Sequence, residues 1–109
     1  MSVINGATCN ATTTTGCGHT PLAVTVGFGP TGVAFDPANQ TVAVTNVEDA
    51  SVSVINAATC NATVTTGCHG PQPRFPVGRA PNVIAIDPAA QTIYTANLDN
   101  TLSIIPATR

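Results

Sequence analysis

An internal repeat of 51 residues constrains the fold of this chain more than any other feature. When the sequence is shifted by 51 positions, residues 2–48 align with residues 53–99 without a gap, and 24 of the 47 aligned pairs are identical. A fixed period of this length predicts an array in which each copy is one supersecondary unit that packs on its neighbours.

The period divides the chain, taken as one partial repeat domain over residues 1–109, into two copies. Repeat 1 covers 2–52 and repeat 2 covers 53–103. A third copy starts at 101–105, where Thr-Leu-Ser-Ile-Ile resembles the Ser-Val-Ser-Val-Ile of the preceding copy at an offset of 50.

Each period contains four short patterns that are typical of β-strands. Residues 32–35 are apolar and run into the turn signal Asp36-Pro37, whereas 41–46, 51–56 and 22–26 are rich in β-branched residues, the last two with alternating polarity. No segment combines helical spacing of apolar residues with a capping residue. We therefore expect an all-β fold with little or no helix.

Four antiparallel strands in a period of about 50 residues fit a β-propeller blade, and kelch blades have this period. A solenoid is the competing interpretation. Parallel β-solenoids have shorter periods and lack tight Asp-Pro turns, so we favour the propeller.

The sequence resembles the YVTN family of β-propeller repeats. The resemblance is carried by residues 29–37 (Gly-Pro-Thr-Gly-Val-Ala-Phe-Asp-Pro), 41–46 and 51–55, with Ala-Val-Thr-Asn at 43–46 and Tyr-Thr-Ala-Asn at 94–97 in place of the namesake motif. This family occurs in bacterial and archaeal surface-layer and secreted proteins, and it is related to lactonase-like and quinoprotein propellers. It implies a complete protein of about seven blades and fixes no activity.

The resemblance also assigns the strands. With A as the innermost strand, residues 32–35 are A, 41–46 are B, 51–56 are C and 22–26 are D, so the chain reads C-D, A-B-C-D, A-B-C. About two blades leave apolar faces without neighbours. The expected partners are further blades, either in the same longer chain or in homo-oligomer copies.

Four cysteines form two pairs at matched positions of the repeat, Cys9 with Cys17 and Cys60 with Cys68, and each pair brackets seven residues. Each segment joins strand C to strand D, where strand ends lie within reach of a disulfide. We predict two disulfides, which place the chain outside the cell or at the cell surface, although residues 1–5 have no character of a signal peptide.

Zinc binding by the cysteines together with His19 and His69 is the alternative. The two histidines occupy different positions of the repeat, and each copy offers only three ligands, so we expect no metal.

Composition limits the partners. Only 7 % of the residues are charged, lysine is absent and the net charge is −2, so nucleic acid is not expected. No apolar run approaches the roughly 20 residues that span a membrane.

Function is expected where the copies differ, in the D–A and B–C loops. The candidate ligand-binding rim consists of Glu48, Asp49, Arg79, Asn82 and Asp99. With no catalytic residue or cofactor predicted, we expect a non-catalytic extracellular scaffold that binds an unknown small molecule or protein. The alternative is part of a lactonase-like or related enzyme whose catalytic residues lie in other blades.

Overall fold

A computed structural model describes residues 1–106, and within that range it contains nine strands and no helix. The strands are β1 (Ser2–Val3), β2 (Leu22–Ala23), β3 (Pro30–Asp36), β4 (Thr41–Asn46), β5 (Ser51–Asn56), β6 (Arg74–Pro76), β7 (Pro81–Asp87), β8 (Thr92–Asn97) and β9 (Leu102–Pro106). The expected all-β class is confirmed.

The strands form three antiparallel sheets that follow one another along the chain. The first sheet pairs β1 with β2, the middle sheet has the order β3-β4-β5-β6, and the third sheet has the order β7-β8-β9. This grouping of two, four and three strands is the one expected from the sequence.

Two of the four predicted strand ranges agree with the structure, and two differ. β4 and β5 have the predicted bounds, whereas β3 extends the predicted 32–35 at both ends through a register shift between Pro30 and Gly32. The predicted strand 22–26 is reduced to β2. The partner strand β1 accounts for the difference. Met1 already lies opposite Val24, so residues 25 and 26 extend past the residues that could pair with them.

The outer strand of the middle sheet contains proline but still pairs. β6 pairs with β5 through Val52 opposite Phe75, and the carbonyl of Pro73 accepts the N–H of Val54 at 2.9 Å. Proline is tolerated because β6 is an edge strand and its outer side needs no donor.

The sheets stack face to face in a fixed sense. One apolar cluster, between the first and middle sheets, includes Val24, Val44 and Ile55. A second, between the middle and third sheets, includes Val52 and Ile93. The repeat-equivalent face of each sheet points toward the preceding sheet, and of the three sheets described the middle one has a neighbouring sheet on each face.

Residues at equivalent repeat positions show where this covering ends. Ile55 in the middle sheet is 1 % exposed, whereas the equivalent Ile4, which follows β1 directly, is 61 % exposed. Val52 is fully buried, whereas the equivalent Leu102 in the third sheet is 58 % exposed. The two outer faces of the stack are therefore apolar and exposed, whereas the repeat-equivalent positions of the middle sheet are buried.

Both predicted disulfides are present. Cys9 bonds to Cys17 and Cys60 bonds to Cys68, with Cα–Cα distances of 4.8 Å in each pair. No cysteine is free, so the thiolates that a zinc site would need are consumed. Among residues 1–106 no group of three or more metal-ligating side chains is close enough to hold a metal ion. In the same part of the chain no helix is long and apolar enough to cross a membrane.

Ile55→Ala is expected to lower the free energy of unfolding by about 2–4 kcal/mol, because it removes a fully buried side chain from the first apolar cluster. Ile4→Ala, at the equivalent exposed position, is expected to cost less than about 0.5 kcal/mol. Urea denaturation of both variants measures the difference. Equal losses would contradict the assignment of the first sheet as an end of the stack.

Candidate functional site

The loops predicted as D–A and B–C, which precede β3 and β7 and join β4 to β5 and β8 to β9, meet at one edge of the stacked sheets. The N–H of Val47 donates to the carbonyl of Gly29 at 2.8 Å, and the N–H of Glu48 donates to the carbonyl of Phe28 at 3.1 Å. In the next copy the N–H of Leu98 donates to the carbonyl of Arg79 at 3.1 Å. We call these loops (27–29, 47–50, 78–80 and 98–100) the loop rim.

A buried asparagine connects the loop rim to the middle sheet. Asn46, fully buried at the end of β4, donates from Nδ2 to Ser51 Oγ and to Ser53 Oγ, both at 3.0 Å. Ser53 Oγ also accepts the N–H of Gly27 at 3.2 Å, and Ser51 Oγ donates to Asp49. We call this network the polar clamp, since it ties the loop before β3 to the hairpin between β4 and β5.

The third sheet repeats the polar clamp. Asn97 donates from Nδ2 to Thr101 Oγ1 at 3.0 Å and to Ser103 Oγ at 2.9 Å, and Ser103 Oγ accepts the N–H of Gly78 at 3.0 Å. Thr101 Oγ1 donates to Asp99. The asparagine that ends β4 and the one that ends β8 are thus structural residues in both copies.

A side chain on the glycine before each clamp, Gly27 or Gly78, would displace the clamp asparagine. A Cβ on Gly27 would lie 2.6 Å from the amide of Asn46, and one on Gly78 would lie 2.4 Å from Nδ2 of Asn97. The loop backbone reaches the clamp hydroxyl only because this space is empty.

Asp49 is held in the clamp by three donors. Its Oδ2 accepts the N–H of Phe28 at 3.0 Å and Nη1 of Arg74 at 2.8 Å, and its Oδ1 accepts the hydroxyl of Ser51. Desolvation raises the pKa of Asp49, but the hydrogen bonds from Ser51 and Phe28 and the charge of Arg74 outweigh it and hold the pKa below its ordinary 3.8.

Asp99 has the same position in the third sheet. It accepts the hydroxyl of Thr101 and, at 3.0 Å, the backbone N–H of Arg79. The hydrogen bond from Thr101 is the largest cause that holds the pKa of Asp99 below its ordinary 3.8. The B–C turn is one residue shorter here, so Asp99 matches Asp49 in structure although the 51-residue shift aligns it with Glu48.

The amide oxygens of the two clamp asparagines differ in their partners. Thr95 donates from Oγ1 to Asn97 Oδ1 at 3.0 Å, which completes the hydrogen bonding of that buried amide. The equivalent residue in the middle sheet is Val44, which has no donor, and Oδ1 of the buried Asn46 has no partner. The first clamp therefore carries an unsatisfied acceptor.

The structure separates the candidate rim residues into two groups. Asp49 and Asp99 accept hydrogen bonds in the clamps, and Asp99 is exposed all the same. The side chains of Glu48, Arg79 and Asn82 are exposed outside the clamps, and Asn82 lies in β7 rather than in the predicted loop. Arg79 contacts Asp99 through its backbone N–H, and the single ion pair among residues 1–106 does not involve its guanidinium. Whether the exposed three bind a ligand stays a prediction.

Sequence reasoning missed two features of the rim. An ion pair joins Arg74 to Asp49 at 2.8 Å, and it follows from the pairing of β5 with β6, which places Arg74 opposite Ser53. Two large apolar side chains also protrude from the rim, Phe28 at 72 % and Leu98 at 68 % exposure. Exposed apolar groups beside charged ones are a feature of binding surfaces.

No protein-family model matches the chain, and no curated protein matches it. Among solved structures the chain is similar to the hydrazine synthase of Kuenenia stuttgartiensis, with a TM-score of 0.58 and 21 % sequence identity. The match covers 77 % of this chain and 22 % of that one, so the chain spans about a fifth of the length of this structural neighbour. At this identity the similarity concerns the fold alone.

The clamp carboxylates are expected to make stability depend on pH. Because the folded-state pKa values of Asp49 and Asp99 lie below 3.8, their stabilisation is complete above the unfolded value and is lost as the pH falls through the folded value. Thermal melts from about pH 5 to about pH 2 should show a falling melting temperature. The double variant Asp49→Asn/Asp99→Asn should be less stable at pH 5 and should depend less on pH; an unchanged pH profile would contradict the clamp assignment.

Val44→Thr is expected to be nearly neutral, because the introduced hydroxyl can donate to the unsatisfied Oδ1 of Asn46, as Thr95 does to Asn97. The matched control is Val24→Thr, at a buried site in the first apolar cluster, which should cost about 1–3 kcal/mol. Chemical denaturation compares the two, and an equal cost would refute the equivalence of the clamps.

Proposed function

We propose that this chain is a β-propeller repeat scaffold of the YVTN type, in which each sheet is one blade and the loop rim is a non-catalytic binding surface. Further copies of the unit, in the same longer chain or in other copies of it, cover the two open end faces. The observation that carries the proposal is the contrast in burial between equivalent residues of the middle and end sheets.

The arrangement of the inner strands supports this proposal. β3 and β7 pack against each other, and a Cβ on Gly32 would lie 3.2 Å from the carbonyl oxygen of Asn82. The A strands of successive units therefore approach closely on one side of the stack, as blades do around a propeller axis.

The open face of β3 supports it as well. Val33 and Phe35 are 64 % and 51 % exposed, because the first sheet has only two strands to set against them. At the equivalent positions of β7, Ile84 and Ile86 pack against the second apolar cluster. A complete preceding blade would cover Val33 and Phe35 in the same way.

The loop rim supplies the proposed binding surface. Its exposed groups combine one cation, Arg79, and two anions, Glu48 and Asp99, with the apolar side chains of Phe28 and Leu98. Such a mixture suits a small polar ligand with an apolar part, or a loop of another protein. The clamps hold the rim backbone in place, so the exposed side chains of the rim can differ between copies without a change in the backbone.

An oxidising setting is part of the proposal. Both disulfides close short loops at the outer side of the sheets, and such bonds persist outside the cell. We place the scaffold outside the cell or at the cell surface.

Size-exclusion chromatography with light scattering tests the open end faces. The chain is expected to associate with increasing concentration beyond its monomer mass of 10.9 kDa. Leu102→Glu/Ile104→Glu, which places two charges on the open face of the third sheet, should shift the mass toward the monomer.

Val64→Glu serves as the matched control, because Val64 is 40 % exposed in a disulfide loop away from the end faces. It should associate like the parent chain. A folded monomer at every concentration for the parent chain would refute the proposal.

A further inference from the structure

An apolar groove lies between the middle and third sheets, at the outer side of β9. It has a volume of about 400 Å³, and its lining includes Val54, Pro73 and Phe75 from the middle sheet and Ile93 and Ile105 from the third. We call it the docking groove. Within residues 1–106, β9 is an edge strand of its sheet, and no strand in that range pairs beside this groove as β6 pairs with β5 in the middle sheet.

The same position exists between the first and middle sheets. Val3, Leu22 and Val24 stand one repeat before Val54, Pro73 and Phe75. There the position is occupied, since the bonded cysteines Cys60 and Cys68 are 4 % and 3 % exposed within the apolar cluster that Val24 helps to form.

The loop closed by this disulfide extends the contact. Asn61, Ala62 and Thr65 line one cavity together with Val3 and Leu22 of the first sheet. The hairpin of the middle sheet therefore lies against the side of the first sheet that faces the middle sheet, and the disulfide is part of the contact between these sheets.

The first hairpin provides the contrast. Cys17 is exposed and Cys9 is half-buried, although they occupy the same repeat positions as the buried Cys68 and Cys60. A disulfide hairpin of this repeat is therefore buried where the face of a preceding sheet lies against it and exposed where none does.

We infer that the docking groove binds a disulfide-closed hairpin, with its outer strand, from a further copy of this repeat. The bound segment is equivalent to residues 57–78: its two cysteines contact Phe75, and its strand pairs with the free edge of β9 as β6 pairs with β5. The inference rests on the proposed stacking of repeats, but it concerns a contact at the outer side rather than the open end face.

A synthetic peptide with the sequence of residues 57–78, closed between its two cysteines and carrying an N-terminal fluorophore, tests the inference. Titration with the whole chain, followed by fluorescence anisotropy, should show saturable binding. The reduced and alkylated peptide should bind at least about tenfold more weakly, because the compact disulfide is the group that fills the groove.

Two variants of the chain locate the contact. Phe75→Lys places a charge in the groove and should weaken binding at least about tenfold, whereas Val64→Lys, at an exposed position of the disulfide loop that does not line the groove, should leave it unchanged. Pro73→Lys provides a second groove variant if Phe75→Lys fails to give the circular dichroism spectrum of the parent chain.

The outcomes separate this inference from the proposed scaffold. No binding of the closed peptide, or equal binding to Phe75→Lys and the parent chain, overturns the docking groove. If light scattering still shows association through the end face, the scaffold proposal stands without it. Peptide binding by a chain that stays monomeric would instead support the groove and refute the stacking of whole copies.

Discussion

Burial of apolar side chains between successive sheets is the interaction on which the rest of this structure depends. Each sheet is thin, and a sheet of two to four short strands has little stability in water unless one face is covered. Ile55 and Val52 show this on opposite faces of the middle sheet, where both are almost completely buried. Strand pairing fixes the register that brings these residues to the interfaces, but contact between the sheets provides the apolar burial.

The polar clamp solves a problem that this packing creates. Loops that pass from one sheet to the next must bring backbone N–H groups close to buried strand ends, where each unmet hydrogen bond is costly. Asn46 and Asn97 meet the need with an amide that orders two hydroxyls, and a hydroxyl in each clamp accepts the loop N–H. A carboxylate, Asp49 or Asp99, accepts a further N–H from each loop. Hydrogen bonds of the clamps therefore hold the rim backbone, while the exposed side chains of the rim differ between copies.

Much of the fold could be predicted from the sequence, because repeat and alternation are local signals. The ranges 41–46 and 51–56 agree with β4 and β5, and the disulfide pairs follow from their matched spacing. The clamp could not be predicted in the same way, because Asn46 bonds to Ser51 and Ser53 across the β4–β5 hairpin, and the register of that hairpin has to be known first. The match of Asp99 with Asp49 was hidden by a one-residue difference in turn length, and the Arg74–Asp49 ion pair depends on the pairing of an irregular edge strand.

The fixed sense of the stacking has a geometric consequence. Because the two faces of a sheet differ, the contact is heterologous, and no unit can finish the array by meeting its own kind symmetrically. In the proposed array, further units add head-to-tail, and the rotation between neighbouring units decides whether the last unit returns to the first or the array continues as an open filament. Side chains between the sheets, such as Val42 and its repeat equivalent Ile93, set this rotation and so bear on closure in that proposal.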